Sequence, residues 1–111
     1  MQSMAPADGE TVEVADGVHL TQLVVGERTS IQHFHVEPGV AVPRHSHEHE
    51  QAGFVVSGTF TALVDGDEHV IHAGESYVIP SGTPHAVENR ADVPVGGINV
   101  FSPPRIEMSW K

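Results

Sequence analysis

The chain contains no cysteine. Disulfides, thiolate metal centres and cysteine nucleophiles are therefore excluded, and any metal must be held by histidine, carboxylate or amide groups. Basic residues are scarce: 5 Lys+Arg stand against 15 Asp+Glu, for a net charge of −10, and Lys111 is the sole lysine. Such a charge balance repels nucleic acid and anionic membranes, and neither is expected as a partner. Two explanations of it remain open. An acid-rich, lysine-poor surface suits high salt, where screening relieves self-repulsion, and it equally suits an ordinary acidic protein kept in solution by its charge. No apolar run approaches the ~20 residues of a membrane helix. The first residues lack the basic start and apolar stretch of a signal peptide, so a cytoplasmic location is the default expectation.

Helical periodicity is also missing. No segment carries a sustained 3.6-residue pattern with caps, and 11 glycines and 8 prolines punctuate the chain. What remains reads as short strands of roughly alternating, β-branched residues: 18–25, 30–36, 54–56, 59–64, 68–71, 77–79, 84–88 and 95–101. Glu37-Pro38-Gly39 marks a turn, and Asp65-Gly66 marks a tight hairpin. At 111 residues and 39% hydrophobic content, one domain with one core is expected. Residues 1–10 read as a flexible N-terminal tail and residues 11–111 as a single all-β domain, a small antiparallel sandwich or barrel.

Nine histidines are present, and four residues fall at the spacing of one metal site. His45, His47 and Gln51 lie in Gly39-x5-His45-x-His47-x3-Gln51-x6-Gly58, and His85 lies in Gly74-x5-Pro80-x-Gly82-x2-His85-x3-Asn89. Side chains alternate along a strand, so one strand would point His45, His47, His49 and Gln51 to one side. Glu48 and Glu50 would then face solvent. Only a closed β structure returns His85 to this cluster. One His-x-His pair arises easily by chance among nine histidines, but the glycines and proline at fixed offsets add specificity. Neutral imidazole is the commonest protein ligand for transition metals. Nickel, zinc, manganese, iron and cobalt all accept three imidazoles with one oxygen.

The two blocks resemble the paired signature motifs of the cupin superfamily, small jelly-roll β-barrels, with 15 residues between them. Every signature position matches except one, since cupins usually carry Glu where this chain has Gln51. A neutral amide leaves a divalent ion its full charge. That disfavours redox cycling, as in the dioxygenase cupins, and favours Lewis-acid work on an anionic ligand. The run His45-Ser-His-Glu-His-Glu-Gln51 is further similar to that of the pectin-degradation (KdgF-like) cupins. Val100-Phe-Ser-Pro-Pro-Arg105 resembles their Phe-x-Pro-x-Arg segment.

This resemblance implies one divalent metal on His45, His47, Gln51 and His85. It also implies conversion of 4,5-unsaturated uronates, from pectin or alginate breakdown, to linear keto-acids. Arg105 would pair with the substrate carboxylate and Phe101 would wall the sugar ring. The bland alternatives are an ion pair of Arg105 with Glu107 and a core role for Phe101, one of only 4 phenylalanines. The group usually has Asp where this chain has Asn99. An amide exchanges no proton at neutral pH, so His49, Tyr77 or a metal-bound water would take that role. Otherwise the protein binds a small carboxylate or sugar acid without turning it over. His33 and His35 read as packing or hydrogen-bonding groups, and His19, His69, His72 and Arg44 as surface. Trp110 is expected to cover an apolar patch in a homodimer, and metal release is expected on acidification through about pH 6.

Overall fold

A computed structural model describes residues 1–106. Glu107 and Trp110 lie outside the described residues, and so do the ion pair and the dimer contact expected of them. The strands are β1 (Thr11–Ala15), β2 (Val18–Val25), β3 (Ser30–Val36), β4 (Ala41–His45) and β5 (Glu50–Ser57), followed by β6 (Thr59–Val64), β7 (Asp67–His72), β8 (Ser76–Ile79), β9 (His85–Glu88) and β10 (Val95–Ser102). They form a six-stranded sheet, β1-β2-β3-β10-β5-β8, and a four-stranded sheet, β4-β9-β6-β7. All pairings are antiparallel, and the two sheets make a jelly-roll barrel. Within residues 1–10, Pro6–Asp8 form a single 3-10 turn. No described helix is long and apolar enough to cross a membrane.

Period-two patterning decides which side chains meet inside. On β3, Ser30, Gln32, Phe34 and Val36 point in, and on β5 Gln51, Gly53 and Val55 do. The apolar core joins Val18, Phe34, Val36 and Val55 of one sheet to Val42, Phe60 and Ala62 of the other. Phe34 and Phe60 meet edge-on at 6.1 Å between ring centroids, the arrangement their quadrupoles favour. The Asp65-Gly66 hairpin forms as expected. Both residues take positive φ, 50° and 80°, the combination that lets a two-residue turn match the twist of its strands. Asn89, the last residue of the second sequence block, is 1% exposed. Its amide donates to the carbonyls of Val36 and Val93 and accepts from the Ala91 N–H. It thereby ties the end of β9 to β3 in the opposite sheet, so its place in the motif is explained by structure alone.

Candidate metal centre

The four residues singled out in the sequence come together in space, by a different route from the one expected. A single strand does not carry His45, His47, His49 and Gln51. His45 ends β4 in the four-stranded sheet and Gln51 lies on β5 in the six-stranded sheet. The chain changes sheets between them. That crossover is held by Ser81, whose hydroxyl donates to the Glu48 carbonyl at 2.6 Å, and by the Gly82 N–H, which donates to the His47 carbonyl at 2.8 Å. His85 arrives on β9 directly opposite His45, just past an irregularity in the β4–β9 register. Bulges of this kind re-aim side chains beside functional sites.

One ring nitrogen each from His45, His47 and His85 lies within 4.8 Å of the others. Their tautomers follow from their partners. Nδ1 of His45 contacts the Pro43 carbonyl at 2.9 Å, Nδ1 of His47 the His49 carbonyl at 3.0 Å, and Nδ1 of His85 the Thr83 carbonyl at 2.8 Å. A carbonyl only accepts, so each Nδ1 carries the hydrogen and each Nε2 keeps its lone pair. Backbone carbonyls fix metal-binding histidines in this way. Gln51, 8% exposed, adds an oxygen: Oε1 lies 3.1 Å from Nε2 of His47. Metal–nitrogen and metal–oxygen bonds are ~2.0–2.2 Å long, so donors gathered this closely could share one ion. The donor set therefore fits a divalent transition ion, and the three histidines could hold one.

Electrostatics keep the donors neutral. Burial lowers the pKa of His47 to about 4, helped by the charges of Arg105 and a protonated His85. Burial likewise lowers His45 and His85, against the opposing effect of their backbone hydrogen bonds. Protons thus compete for these nitrogens below the ordinary histidine range, and well below it at His47. Burial raises the Tyr77 hydroxyl far above its usual value, which argues against Tyr77 as a proton acceptor at neutral pH.

Beside the histidines is a cavity of about 80 Å³, lined by Gln32, Gln51, Tyr77, Asn99, Phe101 and Arg105 together with apolar core side chains. Phe101 is both core and wall. It is 1% exposed, yet its ring packs edge-on against His47 at 5.7 Å between centroids. The Arg105 guanidinium carbon sits 5.3 Å from the centre of the same ring, a cation–π placement. Asn99 faces the cavity and accepts a short hydrogen bond from the Tyr77 hydroxyl. His49 packs on His47 and Phe101, with ring centroids 5.5 and 6.1 Å away. Its buried Nδ1 has no hydrogen-bond partner among the described residues.

The other histidines stay outside. His33 and His35 are half-buried on the outer face of β3, and His35 contacts Glu37 at 3.0 Å. His19 is half-buried against His35, whereas His69, His72, Arg44, Glu48 and Glu50 are exposed. Two residues at the site escaped the sequence reading. Gln32 had a signal, since alternation puts it inward between Ser30 and Phe34. Gly53 had one too, because a glycine inside a strand marks close approach of another group.

Known proteins resemble the chain to different extents. The chain is 33% identical over 78 residues to mannose-1-phosphate guanylyltransferase of Escherichia coli, a match covering 69% of this chain but only 16% of that protein. It thus spans about a sixth of the length of these larger relatives. It is 24% identical over 96 residues to the pectin degradation protein KdgF of Dickeya dadantii, covering 86% of each. The structure of KdgF from Halomonas sp. superposes with a TM-score of 0.87 at 23% identity, over 97% of this chain and 98% of that one. The cupin domain family model matches residues 32–101, and with both signature blocks inside that span, the chain belongs to the cupin domain family.

Proposed function

We propose that the protein binds one divalent metal through His45, His47, Gln51 and His85 and linearises 4,5-unsaturated uronates. The supporting observation is a donor set without formal charge beside a guanidinium. Three imidazoles with fixed tautomers cluster with one amide, and His45, His85 and Gln51 of this set line a cavity that Arg105 also lines. A divalent ion held there keeps its full charge and supplies Lewis-acid polarisation of substrate oxygens. Within a chain of net −10, the site is then a local positive focus for an anion. Arg105 takes the substrate carboxylate through its planar fork. Phe101 presents an apolar edge to the sugar ring. A cavity of about 80 Å³ exceeds severalfold the ~10–15 Å³ needed to hold one water. It admits the carboxylate end of the substrate beside Arg105.

The reaction is an isomerisation. The anomeric hydroxyl gives up its proton as the bond from C1 to the ring oxygen breaks. The aldehyde forms at C1, the ring oxygen keeps the electron pair as an enolate at C5, and C4 takes up one proton to leave the ketone. One proton leaves oxygen and one reaches carbon, so a group that exchanges protons is needed near the cavity. Mixing metal-loaded protein with 4,5-unsaturated galacturonate should deplete the conjugated-alkene absorbance faster than buffer. A rate equal to buffer with metal bound would sink the enzymatic proposal.

One observation favours a second reading, a metal-loaded binder of small sugar acids. Asn99 holds a neutral amide where proton transfer is needed, and its oxygen already accepts from Tyr77. Tight uronate binding by calorimetry without conversion would establish the binder, and conversion would exclude it.

Acid should release the metal late. The His47 pKa is lowered to about 4, so its neutral, metal-binding form persists well below pH 6.5. Metal content followed by elemental analysis across a pH series should hold through pH 6 and fall toward pH 4. The same depression makes the apoprotein lose stability as pH falls from the unfolded-state histidine value of about 6.5 toward the folded value, because the unfolded chain then binds more protons.

A further inference from the structure

The inner face of the six-stranded sheet carries a row of polar side chains between the metal centre and the apolar core. Register sets this row. Gln22 on β2 pairs with Gln32 on β3, Gln32 with Asn99 on β10, Asn99 with Gly53 on β5, and Gly53 with Tyr77 on β8. Two residues along the strands in one direction stand Phe101 and Gln51, and two residues in the other stand Phe34, Gly97 and Val55. The polar row thus lies about 7 Å further in than Gln51. A Cβ at Gly53 would strike the Tyr77 ring and its hydroxyl oxygen, so only glycine lets that ring cross β5. Having crossed, the hydroxyl donates to Oδ1 of Asn99, and Asn99 keeps Nδ2 as a donor. The opposite end of the row orients Gln32. Nε2 of Gln22 donates to the carbonyls of Leu23 and Ile31, at 3.3 and 3.2 Å. Oε1 of Gln22 is left to accept, and Nε2 of Gln32 faces it at 3.5 Å. Oε1 of Gln32 therefore points away from Gln22. Gln32 is 2% exposed and Asn99 9%, and both line the cavity beside the metal centre. Among the described residues, neither Oε1 of Gln32 nor Nδ2 of Asn99 has a hydrogen-bond partner.

We propose that Gln32 and Asn99 form a hydroxyl subsite, in which a ring hydroxyl of the sugar acid donates to Oε1 of Gln32 and accepts from Nδ2 of Asn99. Gln32 is then a specificity-determining residue, a role that rests on the sugar-acid ligand of the proposed function, whether that ligand is converted or only bound. A hydroxyl donates and accepts at a single atom, as this acceptor and donor on paired strands require. A carboxylate only accepts, so Oε1 of Gln32 repels it and leaves it to Arg105. An acid without the hydroxyl leaves two buried polar groups unpaired, the penalty by which hydrogen-bonding sites reject such analogues.

Calorimetry of the metal-loaded protein tests this. The probes are 4-deoxygalacturonate, which lacks the 4,5 double bond and so binds without conversion, and its forms that lack a further hydroxyl at C1, C2 or C3. One of these three should bind the parent roughly 10–100-fold more weakly than the complete acid, the range for a buried polar group left without its partner. Gln32→Met keeps the length of the side chain and removes its polar atoms. It should bind that form and the complete acid alike, with metal content unchanged, since Gln32 is not among the metal donors. A merely structural role would weaken all four acids together. Should Gln32→Met fail to fold, Gln22→Met gives the test from the half-buried end of the row: Gln32 loses the acceptor that turns its nitrogen away, and the preference should shrink. Parental preference in whichever variant folds would overturn the proposal. So would equal binding of all four acids by the parent, the result expected if the two amides hold only water. Binding of none of them would remove the subsite as well, whereas the proposed function stands or falls separately on the loss of alkene absorbance from the unsaturated uronate.

Discussion

Replacing His85 by alanine is expected to empty the metal centre. His85 is 2% exposed and stands opposite His45 across the β4–β9 pair. Its Nδ1 is committed to the Thr83 carbonyl, so Nε2 is the donor that the variant loses. The variant keeps two imidazoles and a neutral amide. No carboxylate belongs to the cluster among the described residues, so nothing offsets the lost nitrogen electrostatically. Affinity should fall by more than the roughly 10–100-fold that loss of a merely supporting contact costs. His45→Ala should behave alike. Elemental analysis of the purified variants is the direct check. A second readout is thermal: a ligand at 100 times its Kd stabilises the folded state by about 2.7 kcal/mol, and added metal should raise the melting temperature of the parent but not of these variants. Stoichiometric metal in His85→Ala would mean that the site is misassigned.

Eight of the ten strands, all but β1 and β4, were legible because their residues alternate and their turns carry glycine where φ must be positive, as at Gly39 and Gly66. The return of His85 to the first block was legible for a related reason, since two distant motifs of one metal site demand a closed β structure. The crossover from His45 to Glu50 was not. Alternation predicts one strand there, and what breaks it is a set of hydrogen bonds from Ser81 and Gly82, more than thirty residues away in sequence. Local pattern cannot report such contacts. The row Tyr77-Gly53-Asn99 is hidden similarly, because it depends on the register of three strands that are neighbours only in space. Sequence supplied Asn99 as an odd residue and Tyr77 as a candidate proton carrier. Register joins them and changes their roles, since the phenol hydrogen is already committed to Asn99.

Asn99→Asp should raise uronate turnover by about 10²–10⁴-fold, the usual contribution of a positioned general acid or base. The ring-opening step needs one proton taken from oxygen and one given to carbon, and the amide of Asn99 does neither. Residue 99 is well placed for proton transfer, because it lines the cavity beside Gln51, Phe101 and Arg105. A carboxylate there still has an oxygen to accept the Tyr77 hydrogen. Its second oxygen is then available to the substrate. The aspartate must be ionised to act as base, so the rate of the variant should fall as pH drops through the pKa of the new carboxyl. That acid limb should be absent from the parent, which separates proton transfer from a mere improvement in packing. The assay is the loss of conjugated-alkene absorbance at saturating substrate, with metal content measured on the same samples. If the variant binds metal and uronate and turns over no faster than the parent, then residue 99 carries no proton. The remaining candidate on this chain is then His49, whose buried Nδ1 lies without a partner among the described residues.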